Sequence, residues 1–394
     1  MKYDFDVIHD RKLFHSVKWN QLKGQFGRED LLPLWVADMD FKSPQPVINA
    51  LREGAEHGIY GYTGMEDSYY AAIISWMKKR HHWPVRKEWI SFSPGVVSAI
   101  AFLIRIFSQP GDKIIIQPPV YYPFSETISR NGRQVINNPL ILDGQRYLMD
   151  FVALEKKLAD PLVKLLILCN PHNPVGRVWD AEALQQLGEL CLKHHVLVIA
   201  DEIHSDIIYP GFRHLPFPSI SKRFEQNCVV CTSPSKTFNL AGLKTSAIII
   251  PNRELFHTYD HFLDAFHLKM GNYFGIIALE AAYQKGEDWL EQLLLYLSGN
   301  LAFLKNYLAE YIPEVKLIEP EGTYLVWLDF RDLHLDTDQL NRLLLEQAKV
   351  ALDDGCWFGQ EGQGFQRINI GCPRSGLKKA LDRIRKSLNV SNIN

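Results

Sequence analysis

Between residues 113 and 250 the chain repeats one pattern: a short apolar run, a cluster of turn-forming or polar residues, then an amphipathic stretch. The runs are Lys113–Ile116, Leu165–Cys169, Leu197–Ala200, Val229–Thr232 and Ser246–Ile250. Strands that lack polar alternation must be covered on both faces, so the pattern restricts this region to an α/β fold, a mostly parallel sheet between helical layers. The spacing predicts a crossover helix over Ala181–His194, with Leu184, Leu187, Leu190 and Cys191 on one face and Asp180 as its N-cap. A second helix is expected to open at Ser93-Pro94-Gly95-Val96-Val97, run through Ile100, Leu103 and Ile104, and stop before Pro110-Gly111.

From about Glu287 the pattern changes to long helical stretches, Leu290–Tyr311 and Thr337–Lys349, separated by the strand-like Gly322–Leu328. This predicts a smaller α+β domain over 287–394, a large domain over 46–286, and an N-terminal arm with part of the small domain over 1–45. A net charge of −2 in 394 residues offers no basic excess for nucleic acid or anionic lipid, which leaves small molecules or other subunits as partners. No apolar run approaches membrane-spanning length, and Met1–Val7 carries charges where a signal peptide needs an apolar core, so a cytoplasmic location is expected. The six cysteines lie mostly in apolar segments, in keeping with a reducing compartment. Cys228 and Cys231 are three apart in an expected strand, hence on opposite faces and ill placed to share a metal or a disulfide.

In open α/β sheets ligands bind beyond the carboxyl ends of the strands. Tyr121 and Tyr122 follow the first run, Asn173 the second, Asp201 the third, and the turn Ser233-Pro234-Ser235-Lys236 the fourth. A lysine at such a strand end is poised for Schiff-base chemistry, because partial burial favours its neutral amine. With a carboxylate to hold a pyridine nitrogen protonated, a ring to stack and an amide for a phenolic oxygen, the set suits pyridoxal 5'-phosphate. Asp201, Tyr121 or Tyr122, and Asn173 are the candidates; a helix cap, core aromatics and a simple turn are their ordinary alternatives. Backbone amides of Gly95, Val96 and Val97 at a helix start, with Ser233, Ser235 and Lys244, suit the phosphate. Asp201, Glu202, His204 and Asp206 resemble a metal cluster, but their spacing matches neither HExxH nor a calcium loop, so no metal is expected and His204 is read as a hydrogen-bonding neighbour of Asp201 or a core histidine. Gly359, Gly362 and Gly364 lack the flanking strand and helix of a dinucleotide fingerprint. Past a final strand-like run, Arg374, with Arg367 as the alternative, is the candidate for gripping a substrate carboxylate.

The segments Pro118-x-Val120-Tyr121, Asn170-Pro171-x-Asn173-Pro174-x-Gly176, Asp201-Glu202, Ser233-x-Ser235-Lys236-Thr237-Phe238 and the terminal arginine run together resemble the class I/II aminotransferase family of fold-type I pyridoxal-phosphate enzymes. Leu34–Phe41, Gly61-Tyr62-Thr63, Asp201–Asp206, Tyr324–Asp329 and Gly371-Cys372-Pro373-Arg374 resemble its MalY/PatB branch of carbon–sulfur β-lyases, cystathionine β-lyase among them. The resemblance implies a seven-stranded, mostly parallel sheet between helices. It further implies that Lys236 forms the Schiff base and moves the proton, Asp201 pairs with the pyridinium, Asn173 meets the phenolic oxygen and Tyr121 stacks on the ring. Arg374 would bind the substrate α-carboxylate, with Ala37, Asn173 and Tyr121 beside the substrate, and Gly95, Val96 and Ser233 would hold the phosphate. Family members are homodimers that borrow a tyrosine from the neighbouring subunit, here Tyr62 ahead of Tyr60. Lys244 departs from the family, which often has arginine there, and loses the fork geometry. The implied reaction is β-elimination of a thiol from L-cystathionine or a related cysteine S-conjugate. An L-amino-acid aminotransferase and a pyridoxal-phosphate protein that binds a regulatory partner are the alternatives.

Overall fold

A computed structural model describes residues 1–391. Strands β1 (Ile90–Ser93), β2 (Lys113–Ile116), β3 (Gln134–Asn137), β4 (Val163–Cys169), β5 (Leu197–Asp201), β6 (Cys228–Thr232) and β7 (Ser246–Ile249) form one sheet in the order β1-β7-β6-β5-β4-β2-β3. β7 runs antiparallel to both its neighbours, and every other pairing is parallel. The five apolar runs of the sequence are five of these strands, within two residues at either end. Both faces are buried: along β6, Cys228 and Val230 join one apolar cluster while Val229 and Cys231 join another. Cys228 and Cys231 therefore do lie on opposite faces.

The helices that position the site are α1 (Gln45–His57), α2 (Asp67–His81), α3 (Val96–Phe107), α4 (Ala181–Lys193), the single turn α5 (Pro234–Thr237), α6 (Glu287–Tyr311) and α7 (Arg374–Ser391). The crossover helix α4 begins as the sequence predicts, with the Asp180 carboxylate accepting the Ala183 amide at 2.9 Å. A second sheet, β8 (Lys316–Ile318), β9 (Leu325–Asp329), β10 (Asp353–Asp354) and β11 (Phe365–Asn369), is antiparallel in the order β8-β9-β11-β10. The helix expected over Thr337–Lys349 is divided: an α-helical Thr337–Arg342 passes into a π-helical Leu343–Ala348. The wider turn carries Leu343, Leu344 and Ala348 into the core.

The arm ahead of α1 packs on this second sheet region, Leu32–Pro33 pairing in parallel with Val350–Ala351. It is pinned by ions as well. Lys18, fully buried, donates to Asp40 at 2.8 Å, and Arg11 bonds Asp38 and Asp40. Asn239 then ties the arm to the loop after α5, accepting from the Met39 amide at 2.9 Å and donating to the Phe41 carbonyl at 2.9 Å. No helix among the described residues is long and apolar enough to cross a membrane.

Candidate active site

The chain runs outward from β2 to β3, then returns through β4, β5 and β6, so the strand order reverses between β2 and β4. Such a reversal leaves a crevice at the carboxyl ends of the strands. A cavity of about 210 Å³ occupies it, and Ala37, Tyr121, Asn173, Asp201 and Lys236 are among its walls.

Lys236 is half-buried on α5. Ser233 begins that turn, its hydroxyl accepting from the Ser235 amide at 3.1 Å and donating to the Thr245 carbonyl at 2.7 Å. Burial pushes the Lys236 amine down to about 8, against the pull of Asp38. Its Nζ donates to the Ala37 carbonyl at 2.6 Å, and the Tyr324 hydroxyl donates to the same oxygen at 3.0 Å. At the end of β5, burial pushes the Asp201 carboxyl up to about 7, opposed by the Ile203 amide at 3.1 Å and by the charge of Lys236. A carboxylate so placed gains most from a cationic partner in the cavity, which a protonated pyridine nitrogen would be.

Asn173, 4% exposed, accepts from Arg367 at 2.9 Å through Oδ1 and receives the Tyr121 amide on its backbone carbonyl at 3.0 Å. At the opposite wall stand Gly95, Val96 and Val97, where the first amides of α3 have no partner within the helix, together with Ser235 and the exposed Lys244. A Cβ added at Gly95 would meet nothing nearer than Ser98 Oγ at 4.0 Å, so the space it faces is open to a ligand. Two further wall residues, Ser246 and His204, are buried with Oγ and Nδ1 unpartnered. A cavity with an amine, a carboxyl, free helix-start amides and unpartnered polar atoms fits a phosphate-bearing aldehyde such as pyridoxal 5'-phosphate.

The structure corrects several expectations. Arg374 is not at the cavity: it opens α7, bonds Asn300 through Nε at 3.1 Å and lies over the Tyr296 ring of α6. The guanidinium that reaches the wall is that of Arg367, buried in β11 behind Asn173, which it bonds along with the Trp35 carbonyl at 2.9 Å and Asp353 directly across the ladder. His204 does not bond Asp201; its ring meets Tyr324 edge-on at 6.0 Å, and burial holds it neutral. Ser233 lies outside the cavity wall, its hydroxyl held by the turn. Tyr62, expected to serve the neighbouring subunit, is not among the corrected residues: it is 98% exposed in the loop between α1 and α2, away from its own chain's cavity, while Tyr60 packs on Tyr273 and Phe274. The acidic cluster also diverges: Glu202 takes His214 at 3.0 Å and the Phe217 amide at 2.8 Å, while Asp206 takes groups from α2.

Thr245 and Ser246, which no sequence motif marks, also belong to this wall, because antiparallel β7 brings its beginning rather than its end to this side of the sheet. Arg367 lies inside β11, whose sequence Phe365-Gln366-Arg367-Ile368-Asn369 mixes polar and apolar residues, and at 3% exposure its charge is met by partners, as a buried arginine's almost always is.

A profile of the family "Aminotransferase class I and II" matches residues 29–384. The chain is 45% identical over 385 residues to cystathionine beta-lyase PatB of Bacillus subtilis (strain 168), covering 98% of this chain and 100% of that one. It superposes on a pyridoxal-phosphate-bound putative aminotransferase from Clostridium difficile 630 with a TM-score of 0.97 at 46% identity, covering 98% and 100% of the two chains. Cystalysin from Treponema denticola, which contains pyridoxal 5'-phosphate, gives 0.96 at 37% identity, covering 99% and 100%. With a strand-end lysine site of this geometry and likeness over almost its whole length, the chain belongs to the class I and II aminotransferase family.

Proposed function

We propose that the protein is a pyridoxal-phosphate-dependent carbon–sulfur β-lyase that converts L-cystathionine, or a related cysteine S-conjugate, into a thiol, pyruvate and ammonia. One observation carries the reading: an amine, a buried carboxyl and an amide that is itself held by the Arg367 guanidinium line one cavity in a chain 45% identical to a cystathionine β-lyase. When bound, pyridoxal 5'-phosphate supplies an aldehyde for the lysine and a cationic ring that draws electrons from the substrate Cα.

The chain's own groups do the rest. Asp201 would pair with the ring nitrogen, Tyr121 would stack on the ring and Asn173 would meet the phenolic oxygen, while the amides of Gly95, Val96 and Val97, with Ser235 and Lys244, would hold the phosphate. Arg367 receives the substrate α-carboxylate with two parallel donors. That orients the Cα–H bond toward Lys236, whose amine takes the proton. The Cα–H electrons form the Cα–Cβ double bond as the Cβ–S bond breaks and sulfur leaves as thiolate. Water then hydrolyses the released enamine, through its imine, to pyruvate and ammonia.

The active unit in this reading is a homodimer in which Tyr62 reaches the phosphate of the neighbouring subunit, and exposed Ile59, Tyr60 and Met270 offer apolar surface for the second copy. A cytoplasmic location is part of the proposal, supported by five buried cysteines that remain free thiols. So is the division at 45 and 286, supported by the separate second sheet and the arm paired to its region. The test is incubation of purified protein with L-cystathionine. Pyruvate and homocysteine are expected in equal amounts without any added 2-oxo acid; amino transfer to a 2-oxo acid with no thiol released would overturn the lyase assignment.

A further inference from the structure

We propose that Asp206 is a positioning residue for Lys236: through the Thr237 hydroxyl it fixes the far end of the helical turn that carries the amine. The inference rests on the reading of Lys236 given above. Four residues cannot hold a helical turn unaided, because nucleation costs more than one or two hydrogen bonds return. α5 is held instead by a side chain at each end. At its start Ser233 bonds the Thr245 carbonyl; at its close Thr237 Oγ1 donates to Asp206 Oδ2 at 2.6 Å. Lys236 lies between these two anchors.

The second anchor is built into the core. Asp206 is 3% exposed and Thr237 is fully buried. The other oxygen of the carboxylate faces α2, accepting from Trp76 Nε1 at 3.1 Å and pairing with His81 Nε2 at 2.9 Å. One carboxylate thus bolts a four-residue turn to a 15-residue helix. Burial alone would raise the Asp206 carboxyl, but the hydrogen bond and charge of His81, aided by Thr237, hold it below its ordinary value, so it remains an acceptor for all three groups. Of those three, only Thr237 adjoins the reactive lysine; His81 serves the same carboxylate from the α2 side. A structural role and a positioning role therefore predict different consequences for the two ends.

The experiment compares full-length Thr237→Val, Thr237→Ser and His81→Gln proteins loaded with pyridoxal phosphate. Thr237→Val should lower kcat for L-cystathionine roughly 10- to 100-fold, with KM changed by less than about twofold, as expected for a displaced reacting group. The cofactor-free form of that variant should also take up pyridoxal phosphate more slowly, read from the growth of its visible absorbance. Thr237→Ser, which restores the hydroxyl, should recover both rates. His81→Gln should lower Tm yet keep kcat within about twofold. Thr237→Ala reports the same losses if Val disturbs the packing. Wild-type kcat and uptake in Thr237→Val, or losses in His81→Gln equal to those in Thr237→Val, would overturn the proposal. Failure of the underlying reading shows separately, as turnover retained by Lys236→Ala.

Discussion

The Lys236 amine is made reactive by a compromise: it is dry enough to lose its proton near neutrality, yet held in place by the Ala37 carbonyl at 2.6 Å. The amine attacks an aldehyde only when neutral. Uptake of pyridoxal phosphate by the cofactor-free protein should therefore accelerate as pH rises and level off above about 8, where an ordinary lysine would continue to gain up to its usual 10.5. Stopped-flow absorbance across pH 6–10 checks this, and a midpoint near the ordinary lysine value would contradict the burial argument. The arginines offer a second test at this scale. Arg367→Lys keeps the charge but loses the paired donors, and should reduce kcat/KM by roughly 10- to 100-fold, the worth of a charged hydrogen bond. Arg374→Gln should leave kcat/KM within about threefold, because that guanidinium faces Asn300 and Tyr296. Lys236, Asp201, Asn173 and Tyr121 could be found in the chain because each lies within five residues of the end of an apolar run. Arg367 was harder to choose, since a strand's residues alternate between faces and nothing local says which face meets the cavity.

At the scale of elements, apolar runs and turn residues located five strands and the crossover helix, but not the direction of β7. A strand buried on both faces lacks the alternation that would betray its neighbours, so parallel and antiparallel insertion look alike. The π-helical Leu343–Ala348 was invisible for a related reason: one extra residue in a turn follows from what the helix packs against. Close packing also explains glycines that carry no motif. Gly362 lies against the backbone of Gly355, where an added Cβ would sit 1.9 Å from the Gly355 carbonyl oxygen. On α4, Gly188 faces Phe224, and a Cβ there would lie 2.3 Å from the ring. Gly188→Ala should lower stability by about 1–3 kcal/mol through overpacking, measured by urea unfolding, while kcat of the folded fraction stays unchanged because the site lies at the strand ends.

For the whole molecule, Tyr62 is exposed and does not line its own chain's cavity, so the proposed homodimer makes a prediction about two copies. Mixing inactive Lys236→Ala protein with a weakly active Tyr62→Ala variant, followed by subunit exchange, should restore turnover, since each heterodimer then holds one site with an intact lysine and an intact neighbouring tyrosine. Exchange without recovered activity would show that Tyr62 serves no neighbouring site. The chemistry of the chain was readable in one dimension because a strand end is a local event: an apolar run, a polar turn, and the reacting residue immediately after it. The identity of the wall around that chemistry was not. Arg367 meets Asn173 across 194 positions, and Ala37 reaches Lys236 across 199. Such meetings follow from strand order, strand direction and the docking of the arm, which burial of the entire core selects and no local pattern encodes.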